Sequence, residues 1–191
     1  EIEVGDWSSD VCSSDLAVAA FSLLQGAALL SMVVEITIAN DNYQHFHKGC
    51  LEIKALAQDL MEEGKKLIKD DMVVFSELMK AFKTKGMERN ELINTASISA
   101  TKVPYRIMEK AGEGIGLAGR LVKKSNPNVE SDIEVAVACF ECAGKSAITN
   151  VRVNLSGISD AGVAQKYKED AVNKLEYIEA ESMRLREEVL G

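Results

Sequence analysis

One carboxylate stands in an otherwise apolar helical row. Phe46, Cys50, Ile53, Ala57, Leu60, Gly64, Leu67, Asp71, Val74, Leu78 and Phe82 follow one another in steps of three and four, the spacing of a helix face turned to a core. Burial disfavours the charged form of a carboxylate, which suits a group that takes and returns a proton near neutrality. Asp71 is therefore the candidate general acid–base. Two amides, Asn150 and Asn154, lie four apart in a second apolar stretch, with Arg152 between them. Amides on a core helix need partners or a ligand. A carboxylate for proton transfer, with amides and a cation to position substrate, is the chemistry these residues offer. The plainer reading makes Asp71 a buried charge tied to a backbone or Lys partner, and the residue pattern alone leaves both open.

Other chemistries lack their parts. Of the four cysteines, Cys139 and Cys142 form C-x-x-C inside an apolar helix with no second pair. A zinc site needs further ligands, and a redox pair belongs at a helix start. We read these cysteines as small buried residues of a cytoplasmic protein. His45 and His47 are two apart and face different sides of a helix. No nucleotide loop and no nucleophile elbow occur, so we expect no metal and no cofactor. A formal net charge of −8 argues against a nucleic-acid partner, which needs a basic face.

Helices must position these groups. Ala, Leu, Val, Glu and Lys dominate, aromatic residues make up 5% and there are two prolines among 191 residues, a composition that favours an all-α fold. The expected architecture is a multihelical bundle built around a central apolar helix, about residues 131–155. Asn126-Pro127-Asn128 makes a turn before it. Ser131 and Glu134 read as a capping box, and Asp132 falls in the first turn, where a negative charge suits the dipole. Ala17 to Ala39 is apolar for long enough to span a membrane. Gln25 and Glu35 interrupt it, no basic residue precedes it, and its density of small residues is that of a helix packed against others, so a soluble helix is favoured. The row from Phe46 to Phe82 is one long helix or two broken near Gly64. Val103-Pro104 is expected to kink or end the next helix. Gly112, Gly114, Gly116 and Gly119 weaken the pattern that follows, and only close packing accounts for them. Asn40-Asp41-Asn42 reads as a turn and N-cap region, and Ser159-Asp160 starts an amphipathic last helix with a solvated charged face.

These motifs carry a resemblance. NPN, SD and NVRVNL in Asn126–Leu155, LIKDDMVVF around Asp71 and the Val103-Pro104 pair recur in the order found in the cyclodeaminase/cyclohydrolase family of folate enzymes. The likeness runs from about Ala17 to Leu155, with a looser C-terminal helix. It implies a dimeric enzyme acting on a tetrahydrofolate derivative. The reaction is either cyclisation of 5-formiminotetrahydrofolate with loss of ammonia or hydrolysis of 5,10-methenyltetrahydrofolate to 10-formyltetrahydrofolate, and the motifs do not separate the two. Asp71 falls on the second Asp of the family's Leu-Ile-Asp-x-Asp pattern, while Lys69 replaces the first. Asp132, Asn150, Asn154 and Arg152 are candidates for holding substrate. Asp132 and Asn150 are 18 residues apart, about 27 Å along an ideal helix. Either Asp132 is only a helix-start residue, or a second subunit completes the site.

The chain departs from the family at its start. Ser14-Asp15-Leu16-Ala17 stands where the family has a Pro-Gly-Gly-Gly-Ser turn. The segment GDWSSDVCSSDL, residues 5–16, resembles the translated read-through of a sequencing adapter and lacks any periodic apolar face. Residues 1–16 are therefore read as a non-native, disordered and dispensable extension, and residues 17–191 as a single domain. The lost turn and Lys69 support one rival reading, a non-catalytic helical assembly protein or decayed homologue.

Overall fold

The structure, a computed structural model, describes residues 14–190. Five long helices account for most of those residues: α1 Ser14–Ile38, α2 His47–Lys83, α3 Arg89–Leu121, α4 Glu130–Leu155 and α5 Ala161–Leu190. No strand occurs among the described residues. The all-α bundle expected from composition is the observed fold, and α4 is its centre, packed on α1, α3 and α5.

The core forms where small residues let large ones in. Phe140 of α4 is fully buried. A Cβ added to Gly26 of α1 would come within 2.8 Å of its ring, and one added to Gly114 of α3 within 2.4 Å. Two backbones thus clasp one aromatic ring from either side. That is the physical account of Gly114 that sequence alone lacks. Gly116 has nothing near enough for a Cβ to meet, and nothing in the structure explains it.

Four sequence expectations are settled or corrected by the packing. The row from Cys50 to Phe82 lies on one unbroken helix, with Phe46 just ahead of its start. Gly64 does not break it, because it packs at a crossing where an added Cβ would lie 3.0 Å from the Leu24 side chain of α1. Likewise α3 runs through Pro104. Its Val103 and Pro104 are buried, and packing of that kind outweighs the ~3 kcal/mol helix penalty of an interior proline. Nor does Ser131 cap α4. The helix begins at Glu130 without a side-chain cap, because a short 3-10 turn, Pro127–Val129, leads straight into it. Asn126 caps that turn by accepting from the Asn128 N–H at 3.1 Å. Glu130 meanwhile accepts from the Lys123 N–H at 2.8 Å. Finally, the boundary expected at residue 17 falls inside α1, which starts at Ser14 and buries Leu16 to 3% exposure. The rest of the presumed extension, residues 1–13, lies outside the described residues.

Two caps read from sequence stand as expected. Asn40 accepts from the Asn42 N–H at 3.0 Å, and Asp160 accepts from the N–H groups of Gly162 and Val163 at the start of α5. The α4 entry is tied to the end of α1, where Thr37 accepts from the Asn126 N–H at 3.1 Å.

Candidate functional site

Asp71 projects from the second half of α2 and is 8% exposed. It lines a pocket of about 190 Å³ between α2, α3 and α4, with the start of α1 at one end. From α4 and the turn beyond it come Asn150, Val153, Asn154 and Gly157; from α3, Ser97 and Ala100. The remaining walls are apolar, with Phe75, Met79 and Phe82 from α2 and Leu16 from α1. So three of the five candidate residues, Asp71, Asn150 and Asn154, meet around one cavity.

The other two do not reach it. Arg152 is exposed, and the α4 side chains on the pocket are those at 150, 153 and 154. Asp132 sits half-buried in the first turn of α4, away from the pocket end. Within one chain the helix-start reading of Asp132 matches its position.

Local chemistry explains how α3 forms its wall. Pro104 has no N–H, so the carbonyl four residues back, that of Ala100, loses its helical donor. The Asn154 Nδ2 donates to that carbonyl at 2.9 Å. One turn earlier the Thr101 hydroxyl donates to the Ser97 carbonyl at 2.7 Å. Gly157 is more than a helix stop. A Cβ there would lie 2.0 Å from the Ser97 hydroxyl oxygen, so only glycine lets the turn after α4 close onto α3.

Sequence reasoning missed Ser97, Ala100 and Leu16. A lone Ser and an Ala inside a helical run carry no signal of their own, and Leu16 ends the segment read as an extension. Phe75 and Met79 each lie one residue from the apolar row, and could have been found by widening that stripe.

The cysteines are not the buried pair expected. Cys142 is exposed and Cys139 half-buried, while Cys50 is buried. The C-x-x-C pair lies mid-helix on the surface because its face of α4 turns outward beside α1, where the Ser22 hydroxyl contacts the Cys142 sulfur at 3.6 Å. Burial, then the neighbouring Cys142, pushes the Cys139 thiol above its ordinary range, the opposite of what a reactive thiolate needs. Among the described residues no group of three His, Cys, Asp or Glu is placed to hold a metal ion.

Known proteins share both the sequence and the fold. The chain is 32% identical over 177 residues to a methenyltetrahydrofolate cyclohydrolase of Methylorubrum extorquens, a match covering 90% of this chain and 83% of that protein. Its fold superposes on the crystal structure of a formiminotetrahydrofolate cyclodeaminase from Thermotoga maritima with a TM-score of 0.77, covering 99% of this chain and 94% of the other at 21% identity. The sequence profile named formiminotransferase-cyclodeaminase matches residues 17–173. With the family pattern around Asp71 lying on the pocket wall, and the profile spanning most of the five-helix bundle, the chain belongs to the formiminotransferase-cyclodeaminase family.

Proposed function

We propose that this protein is a folate-dependent one-carbon enzyme in which Asp71 exchanges the proton. The observation that carries this reading is the shared pocket: a carboxylate buried in an apolar wall, facing the same cavity as two amides. In cyclisation, N10 attacks the formimino carbon of 5-formiminotetrahydrofolate, whose terminal nitrogen is already protonated; N10 then loses its proton, and the amino group so formed gains one and leaves as ammonia, giving the cationic 5,10-methenyl product. In hydrolysis, water adds to the cationic 5,10-methenyl carbon and gives up a proton, and the ring then opens to 10-formyltetrahydrofolate. A single carboxylate serves either sequence, as base first and acid second, and its charge stabilises the cationic carbon. Asn150 and Asn154 hold the reacting end of the substrate.

The active form is a homodimer. A cavity of about 190 Å³ falls short of the ~300–1,000 Å³ of a pocket that encloses a drug-sized ligand, so one chain houses only part of a folate. Apolar side chains also remain uncovered on α1 and α4. Phe21 is 57% exposed and Val153, at the pocket mouth, 62%. Helix α1 is long and apolar enough to cross a membrane, but half of its most apolar window is buried in the bundle. That burial favours a helix packed in the bundle over a membrane span, and the net charge of −8 weighs against a nucleic-acid partner; the proposed enzyme is cytoplasmic and uses no cofactor beyond the folate substrate.

Two assays on purified protein test the proposal. One follows consumption of 5,10-methenyltetrahydrofolate; the other follows ammonia release from 5-formiminotetrahydrofolate. Hydrolysis is the first to try, because the relative at 32% identity bears the cyclohydrolase name. Activity in either excludes the non-catalytic assembly protein. Silence in both, also after the Gly-rich turn is restored at residues 14–17, favours it. Light scattering showing a clean monomer at micromolar concentration defeats the dimer.

A further inference from the structure

Pro104 and Asn154 are 50 residues apart in sequence, yet one carbonyl joins them. The proline leaves the Ala100 carbonyl without its helical N–H, and Ala100 is buried at the pocket wall. Asn154 supplies the replacement donor at 2.9 Å. A carbonyl oxygen only accepts, so the amide nitrogen has to face it and the amide oxygen has to face away. The Asn154 Oδ1 takes no hydrogen bond among the described residues and is not sealed inside the protein. Asn154 itself lines the cavity that holds Asp71.

We infer that Pro104 is a positioning residue: by vacating the Ala100 carbonyl it locks the Asn154 amide with its oxygen presented to the pocket, so that Asn154 receives a ligand N–H. An unclamped asparagine offers donor or acceptor by rotating about its last bond. The clamped one offers an acceptor alone. The pocket thereby selects a ligand whose edge carries N–H donors, as the pterin of a tetrahydrofolate does. This deepens the folate reading and rests on it for the identity of the ligand, while the clamp itself does not.

Four proteins test it: wild type, Pro104→Ala, Asn154→Ala and the double variant. Each is measured for Tm without ligand and for the Kd of tetrahydrofolate by calorimetry under argon. In Pro104→Ala the new backbone N–H satisfies the Ala100 carbonyl and competes with the amide. With Pro104 present, Asn154→Ala should lower Tm by roughly 2–4 °C, the loss of one part-buried hydrogen bond in a chain of this size. In the Pro104→Ala background the same change should cost less than half as much. Equal losses in both backgrounds overturn the clamp. Pro104→Ala, which keeps Asn154, should weaken tetrahydrofolate binding about three- to tenfold, and Asn154→Ala at least about tenfold, on the scale of one hydrogen bond. A purely structural asparagine predicts a Kd unchanged by Pro104→Ala, and that result overturns the positioning role. Wild type that binds no tetrahydrofolate removes the folate reading and the ligand half of this inference together, and the Tm comparison then judges the clamp alone.

Discussion

Two neighbourhoods of helix α4 are built in opposite ways. Around Phe140 the neighbouring helices come in on glycine, and the ring is enclosed with no polar group needed. Around Asn150 and Asn154 the neighbours stand off, a cavity opens, and its walls carry Asp71, Ser97 and two amides. Close packing of small residues maximises dispersion contacts and excludes water. A cavity gives up those contacts, and its polar groups must be bonded or wait for a ligand. Mutation in the first neighbourhood should therefore be felt through stability alone, and mutation of the polar groups of the second through ligand binding and turnover as well.

Asp71→Asn should have the largest effect. Asn keeps the shape and hydrogen-bonding capacity but cannot exchange the proton, and a general acid–base contributes ~10²–10⁴-fold to rate. Turnover per folded molecule should fall at least a hundredfold. Near-normal turnover ends the catalytic assignment. Leu16→Ala should come next. Leu16 is buried at the pocket end of α1, and truncating a buried Leu typically costs about 2–5 kcal/mol, readable in a denaturant titration. Deleting residues 1–13 alone should leave the midpoint unchanged. An unchanged midpoint for Leu16→Ala would return that residue to the dispensable extension.

Gly114→Ala tests the closed neighbourhood. Its Cβ would lie 2.4 Å from the Phe140 ring. Overpacking of this kind costs about 1–3 kcal/mol, against a gain of up to ~1 kcal/mol in helix propensity. The expected result is a lower midpoint with unaltered kcat per folded molecule; a higher midpoint would show that the ring has room to move. The smallest effect belongs to Glu141, which links α4 to α5. Its own burial works to raise its pKa, but hydrogen bonds from Lys145, at 2.6 Å, and Arg186 outweigh this and hold it below the ordinary carboxylate range. The stabilisation is present above the unfolded-state pKa and is lost as pH falls through the lower folded value. Glu141→Gln should thus destabilise slightly at pH 7 and not at all in strong acid. A loss independent of pH would mean that packing, not charge, is at work.

Particular residues mark how far the chain is legible on paper. The apolar row containing Asp71 and the pair Asn150 and Asn154 are readable because helix periodicity depends on neighbours three and four residues away. Asn40 and Asp160 are readable as caps for the same local reason. Ser131 misleads because the choice between it and Asn126 depends on a 3-10 turn whose entry is held by Thr37 of α1, 89 residues distant. Pro104 misleads as an end because its local penalty is plain in the sequence, while the burial that overrides it is not.

Composition and periodicity by themselves determined an all-α chain, the order of its helices and the carboxylate within an apolar face, because each follows from interactions between residues close in sequence. Which helix faces meet was decided only by the tertiary structure. It set Asp71 and Asn154 on one cavity, let Gly26 and Gly114 close on Phe140, kept Arg152 and Asp132 out of the pocket and gave the Ala100 carbonyl its distant donor. Such choices turn on shape complementarity and on satisfying buried polar groups between segments far apart in the chain, and no local pattern records them.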